Sequence, residues 1–127
     1  MKRKMIVLLL VAVLALPGLA RAVTEEDFKV KTTQNLINLC TVSADDPHGE
    51  KAIHFCHGYL IGAYDYHVTA NSGPEGKPLF CMPDPPPTRN AAIGMFVEWA
   101  KAHPEYMGEK PVETEFRFLG EKWPCKK

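Results

Sequence analysis

The chain has 127 residues, enough for one domain with one modest hydrophobic core. Its 15 basic and 15 acidic side chains balance, but four basic and no acidic residues fall within the first 22 positions. Residues 23–127 therefore hold 11 basic and 15 acidic side chains, a net charge of −4. A mildly acidic domain lacks the basic face that phosphate neutralisation needs, which argues against a nucleic-acid binder.

The first 22 residues have the layout of a secretory signal peptide. Residues 2–4 are basic, residues 5–16 form an unbroken apolar run, and residues 20–22 read Ala-Arg-Ala. Small residues at both recognition positions predict cleavage after Ala22, and the apolar run is too short to span a bilayer comfortably. An uncleaved membrane anchor is the weaker alternative. We expect export, no membrane attachment after cleavage, and a single domain over residues 23–127.

All four cysteines lie in the predicted exported part of the chain: Cys40, Cys56, Cys81 and Cys125. An even number of cysteines in a small exported domain predicts a disulfide framework. A disulfide sulfur has no thiolate to offer as a nucleophile, so this prediction argues against a catalytic cysteine.

The exported chain begins with a lead-in and one short helix. Residues 23–31 are charged and lack a clear period, which indicates an extended segment. Thr33 is the expected N-cap of a helix that runs to Cys40 and places Leu36 and Leu39 on one face.

Three further helices complete an all-α domain. Residues 47–69 show the strongest helical period, and residues 89–103 follow Thr88 as an N-cap. Pro111 opens the last helix, whose apolar residues are the expected inner face: Val112, Phe116 and Leu119. No alternating pattern is strong enough to build a sheet. We therefore predict a small four-helix bundle-like domain stapled by two disulfides.

The second predicted helix contains the residue types of a metal or catalytic site. His54 and Cys56 point about 200° apart on a helix, and His67 lies roughly 15 Å beyond His57 along the axis. A catalytic cysteine needs a free thiol and a histidine oriented by a carboxylate, and Asp65 lies two turns from His57. We expect no catalytic residue, no metal, no cofactor and no enzymatic activity.

Two glycines in the same helix favour a packing role. Gly58 and Gly62 are four residues apart and clear one strip of the helix surface for a neighbouring backbone. Glycine inside a helix costs about 1 kcal/mol relative to alanine, so a close contact is expected to compensate. Tyr59 supplies a large packing body with a polar tip.

Five short motifs resemble those of the Rap/Tai immunity proteins. The most specific is C-x-G-Y-L-x-G-x-x-D at residues 56–65. The others follow the same order along the chain: L-x-x-L-C ending at Cys40, CMP at residues 81–83, HP at residues 103–104 and WPC at residues 123–125. The similarity covers residues 28–125.

The resemblance implies a periplasmic, non-enzymatic inhibitor that is often a homodimer. Its implied partner is a type VI secretion effector, a cysteine amidase acting on peptidoglycan, whose substrate groove the inhibitor plugs. Two alternatives stay open: a periplasmic acid-stress chaperone of the HdeA type, and an envelope scaffold without a toxin. A neighbouring gene for a secreted amidase favours immunity, whereas client protection in strong acid favours the chaperone.

The order of the helices predicts how the cysteines pair. In an up-down bundle, Cys40 ends the first helix near the start of the second, which carries Cys56. Cys81 follows the second helix at the opposite end, where the descending fourth helix delivers Cys125. We therefore predict the pairs Cys40–Cys56 and Cys81–Cys125.

The partner-binding surface is expected in one of two loops. Residues 103–111 offer Glu105 and Glu109 beside Tyr106 and Met107, so this loop combines carboxylates with an aromatic anchor. Residues 71–78 carry more glycine, lose more entropy on binding and have no aromatic side chain. We predict that the first loop protrudes and binds the effector, with Tyr106 as the anchor.

Overall fold

The computed structural model describes residues 21–126, and these residues form an all-helical fold. The four helices are α1 (Thr33–Cys40), α2 (Gly49–Ala70), α3 (Arg89–Lys101) and α4 (Pro111–Lys122). Two short 3-10 turns, Asp27–Lys29 and Pro104–Tyr106, precede α1 and α4. No strand occurs within residues 21–126, so the predicted all-α class and the number of helices are confirmed. The predicted signal peptide lies almost entirely outside the described residues.

Helix α1 begins one residue earlier than its sequence pattern indicated. The N-cap is Thr32, whose hydroxyl accepts from the Asn35 amide at 3.3 Å, while the Asn35 side chain accepts from the Thr32 amide at 3.2 Å. This reciprocal pair satisfies two amides that a helix start leaves open. Thr33, the expected cap, is instead the first helical residue and is fully buried.

The starts of α2, α3 and α4 differ in how well the sequence predicted them. Helix α2 begins at Gly49, two residues after the predicted start. The reason is that the Asp46 carboxylate accepts from the His48 amide at 2.8 Å and forms a turn before the helix. Thr88 caps α3 as predicted, accepting from the Ala91 amide at 3.2 Å. Pro111 opens α4, also as predicted.

The segment before α1 is not extended, as its charge pattern suggested. Asp27 begins a 3-10 turn and is only 1% exposed. Its carboxylate accepts from the Thr24 amide at 2.9 Å and from the side chains of Asn35 and Asn38 at 3.1 and 2.9 Å. Burial raises the Asp27 pKa, but these donors outweigh burial and the net shift is downward. A buried carboxylate thus ties the N-terminal turn to α1.

Helix α1 lies at the centre of the hydrophobic core. Leu36 and Leu39 have no exposed surface, and α1 contacts each of the other three helices. The buried apolar residues are Val23, Leu36, Ile37, Leu39, Ala52, Cys56, Leu60, Phe80, Ile93, Phe96, Ala100, Phe118 and Leu119. The shortest helix of the fold is therefore the one that the others surround.

Two disulfides cross-link the fold, and both predicted pairs are confirmed. Cys40–Cys56 joins α1 to α2, and Cys81–Cys125 joins the loop after α2 to the segment after α4. Their sequence separations are 16 and 44 residues. On the chain-entropy model, they stabilise the fold by up to about 3 and about 4 kcal/mol.

A pair of buried threonines joins α1 to α4. The hydroxyls of Thr33 and Thr114 lie 2.7 Å apart, and neither side chain is exposed. Thr33 also donates its amide and its hydroxyl to the Glu109 carbonyl, at 2.7 and 3.1 Å. Hydrogen bonds between polar groups thus join the start of α1 to α4 and to the segment before α4.

We expect Thr33→Val to lower the free energy of unfolding by about 1–3 kcal/mol, because it leaves the buried Thr114 hydroxyl without its partner. Thr114→Val should cost less, because the Thr33 hydroxyl keeps its bond to the Glu109 carbonyl. The double variant should lose less than the sum of the two, since no unpaired hydroxyl then remains between the helices. Urea denaturation measures all three variants. Thr69→Val, an exposed change on α2, serves as the control. Simple additivity of the two single effects would contradict the coupling.

Candidate partner-binding surfaces

The segment 103–111 is held to α1 by backbone hydrogen bonds. Pro104–Tyr106 is a 3-10 turn, and the carbonyl of Met107 accepts from the Gln34 amide at 3.0 Å. The Glu109 carbonyl accepts from Thr33, and its carboxylate pairs with Arg117 at 3.0 Å. Backbone groups in this segment therefore satisfy the open N-terminus of α1, and its role in partner binding stays a prediction.

Tyr106 is half-buried in a stack of aromatic rings. Its ring lies 5.7 Å from that of Trp99 with planes 12° apart, and His103 stacks on Trp99 at 4.1 Å. The Arg117 guanidinium sits 4.4 Å from the Tyr106 ring centroid, a cation–π distance. Tyr106 thus has partners inside its own chain. Of the four predicted contact residues, Glu105 is exposed and the other three are half-buried.

Gly58 and Gly62 lie on an exposed face of α2. A Cβ atom added at either position would meet nothing within 4 Å. The expected close approach of a neighbouring helix is therefore wrong within the described chain, because α1 and α4 pack on other faces of α2. Two exposed aromatic side chains flank the glycines: Phe55 is 38% exposed and Tyr66 is 78% exposed.

Tyr59, the third predicted packing residue, turns away from this face. Its half-buried side chain packs against the core. Burial raises the Tyr59 pKa, and the nearby Glu115 carboxylate raises it further.

The histidines and cysteine of α2 do not converge. His54 is exposed, His57 is half-buried, and Cys56 is joined to Cys40. His67 is buried, and its Nε2 accepts from the Leu79 amide at 3.2 Å, so this ring holds the following loop against the helix. Within residues 21–126, no three His, Cys, Asp or Glu side chains are grouped as metal ligands.

The structure also contains a buried glutamate that the sequence pattern did not reveal. Glu115 is 4% exposed, and its Oε2 has no hydrogen-bond partner. Burial raises the Glu115 pKa from 4.5 to about 8, so the carboxyl group is largely protonated at neutral pH.

The buried face of α4 differs from the face that its apolar residues indicated. Thr114, Glu115 and Phe118 are buried, whereas Val112 is 37% exposed. Of the predicted inner residues, Leu119 is buried and Phe116 is half-buried. The only sequence signal for the burial of Glu115 is its position, because it lies three and four residues before Phe118 and Leu119 and so shares their helical face.

Comparison with known proteins decides the family. The sequence matches the family of Rap1a immunity proteins over residues 32–125. The chain belongs to this family. No curated protein and no solved structure matches the sequence.

Membership of the Rap1a family confirms the resemblance carried by the five sequence motifs. Its members are immunity proteins, so the partner is a secreted effector, and the family is generally non-enzymatic. None of the helices within residues 21–126 is both long enough and apolar enough to cross a bilayer.

Gly62→Ala tests whether the exposed face of α2 is free in this Rap1a family member. We expect the free energy of unfolding to rise by about 0.5–1 kcal/mol, because alanine favours the helix and its Cβ meets no neighbour. Gly76→Ala is the matched control and should destabilise the protein, because its Cβ would collide with the Asn71 carbonyl. Thermal denaturation measures both. A loss of stability in Gly62→Ala would show that another molecule covers this face.

The Glu115 carboxyl group predicts a specific pH dependence of stability. The unfolded chain releases this proton near pH 4.5 and the folded chain near pH 8, so rising pH across this window favours unfolding. Relative to the wild type, Glu115→Gln should therefore gain stability as the pH rises, by about 2–5 kcal/mol above pH 8. Urea titrations at several pH values measure the difference. Glu113→Gln, an exposed change on the same helix, should not show it, and a flat profile for Glu115→Gln would contradict the assignment.

Proposed function

We propose that this chain is an exported immunity protein that binds and blocks a type VI secretion amidase acting on peptidoglycan. The observation that carries the proposal is the match to the Rap1a immunity proteins over residues 32–125. The same proposal places the protein in the periplasm, where such an amidase meets its substrate and where disulfides form.

The environment of Val23 supports cleavage after Ala22. Val23 is 5% exposed, and its backbone nitrogen donates to Asp46 Oδ2 at 3.0 Å. Cleavage would convert this nitrogen into an α-ammonium group, and the contact would become a charge-assisted hydrogen bond, which is about twice as strong as a neutral one. The first residue of the proposed mature chain therefore has a buried side chain and a carboxylate partner.

The proposed inhibition is steric. All four cysteines are paired, so they offer no thiolate that could attack the effector. A protein that blocks a groove needs a rigid surface element, because a rigid element loses little entropy on binding. The two disulfides and the central position of α1 supply such a framework.

The proposed contact surface is the segment 103–111, with Glu105 at its exposed tip. Hydrogen bonds to Thr33 and Gln34 fix the backbone of this segment, and the Trp99 stack fixes Tyr106. Glu105 is therefore presented from a rigid base, and its carboxylate is suited to pair with a cationic group at the mouth of the effector groove. Tyr106 contributes the part of its ring that stays exposed.

Glu105→Lys tests this surface without disturbing the ring stack, whereas Tyr106→Ala would remove one ring of the stack and confound binding with folding. The first residue of the exported protein is established by intact mass. Calorimetry then titrates this protein against its cognate amidase, which is sought first among the genes beside its own. We expect Glu105→Lys to weaken binding at least tenfold, or about 1.4 kcal/mol. Glu75→Lys, the same change in the other exposed loop, should bind like the wild type.

The two failures of this experiment are distinguishable. If the wild type neither binds the amidase nor slows its peptidoglycan hydrolysis, the proposed function is wrong. If the wild type binds and Glu105→Lys binds equally well, the function stands and the contact surface lies elsewhere.

A further inference from the structure

An apolar cavity opens beside the buried glutamate of α4. Its volume is about 280 Å³, and it lies between α2, α3, α4 and the proline-rich loop before α3. Its apolar wall includes Leu60, Ile61, Ile93, Phe96 and Phe118. A cavity of this size is near the lower end of the range for small-ligand sites, which typically combine apolar walls with a few polar groups.

Glu115 is the buried polar residue among those that line this cavity. Its side chain shares a helical face with Phe118 and Leu119, and its Oε2 lacks a hydrogen-bond partner. A buried polar atom without a partner costs about 1–3 kcal/mol, and such atoms are rare in native proteins. A ligand that supplied a donor and a positive charge would remove this cost.

The charged side chains of the cavity other than Glu115 lie at its exposed rim. Asp65 and Arg89 are exposed and carry opposite charges, and Tyr64 lines the wall from α2. Tyr59 faces Glu115 from the same helix. The rim charges offset each other, so ionised Glu115 leaves the cavity with an excess negative charge.

We propose that this cavity binds an aliphatic primary ammonium group, with its carbon chain against Leu60, Ile93 and Phe118 and its nitrogen directed to the Glu115 carboxylate. An alcohol of the same length supplies a hydrogen bond but no charge. A carboxylate of the same length meets repulsion from ionised Glu115. The chemistry is that of a lysine side chain from a partner or of a free alkylamine. The site does not depend on the proposed effector.

Three probes of equal length test the site: n-pentylamine, pentan-1-ol and pentanoate, each titrated into the exported protein and followed by amide chemical shifts in NMR. We expect pentylamine to bind most tightly, with the largest shifts around Glu115. The affinity for pentylamine should rise at least tenfold from about pH 6 to about pH 9, because binding requires the ionised Glu115 carboxylate. Asp65, Arg89 and Tyr64 line the same cavity and Tyr59 lies near Glu115, so the assignment to Glu115 needs variants.

Glu115→Gln keeps the shape of the side chain and removes its charge. We expect this variant to lose the preference for pentylamine over pentanol and the pH dependence, while Glu113→Gln, on the exposed side of α4, retains both. Equal binding of pentylamine and pentanol to the wild type would overturn the proposal by showing a purely apolar cavity. Preference for pentanoate would overturn it in favour of an anion site at Arg89, and no saturable binding of pentylamine would also overturn it.

A further probe separates the two sources of the ammonium group. N-acetyl-lysine N-methylamide carries the same ammonium on a peptide backbone. Tighter binding of this compound than of pentylamine supports the site and assigns it to a lysine of a protein partner. Tighter binding of pentylamine supports the site and assigns it to a free amine.

Discussion

The fold depends on the burial of α1, a helix of eight residues with no exposed surface at Leu36 or Leu39. A helix this short is not stable alone in water, because too few hydrogen bonds follow the costly first turn. Contacts with the rest of the fold must therefore stabilise α1 along its whole length. Asp27 bonds to its side chains from the preceding turn, Thr114 meets its first residue from α4, and a disulfide joins its last residue to α2.

This arrangement explains why polar side chains occupy core positions. Asp27, Thr33 and Thr114 are nearly or fully buried, yet each has hydrogen-bond partners that offset the loss of water. Glu115 differs, since its Oε2 has none, and the cavity beside it gives this exception a physical reason. Satisfied polar groups fix the register of the helices, and the unsatisfied one marks a place where another molecule fits.

The sequence predicted the helices and the covalent frame better than the surfaces. Thr88 and Pro111 gave correct helix starts because capping and proline geometry are local, and helix order was enough to pair Cys81 with Cys125. The buried face of α4 was missed because periodicity counts only apolar residues. Gly62 is predicted to pack against a neighbouring helix because glycine inside a helix costs stability. That cost does not show where a compensating contact is made, and no neighbouring helix of the described chain lies close to this position. Tertiary hydrogen bonds to the segment 103–111 have no local sequence signal.

The two disulfides tie folding to the redox state of the surrounding compartment. Together they stabilise the folded chain by up to about 7 kcal/mol on the chain-entropy model, whereas the whole stability of a native protein is roughly 5–15 kcal/mol. Without the Cys40–Cys56 bond, α1 loses its covalent anchor to α2. A reduced chain is therefore expected to lie close to its unfolding threshold. The rigid form then depends on a compartment in which thiols are converted to disulfides.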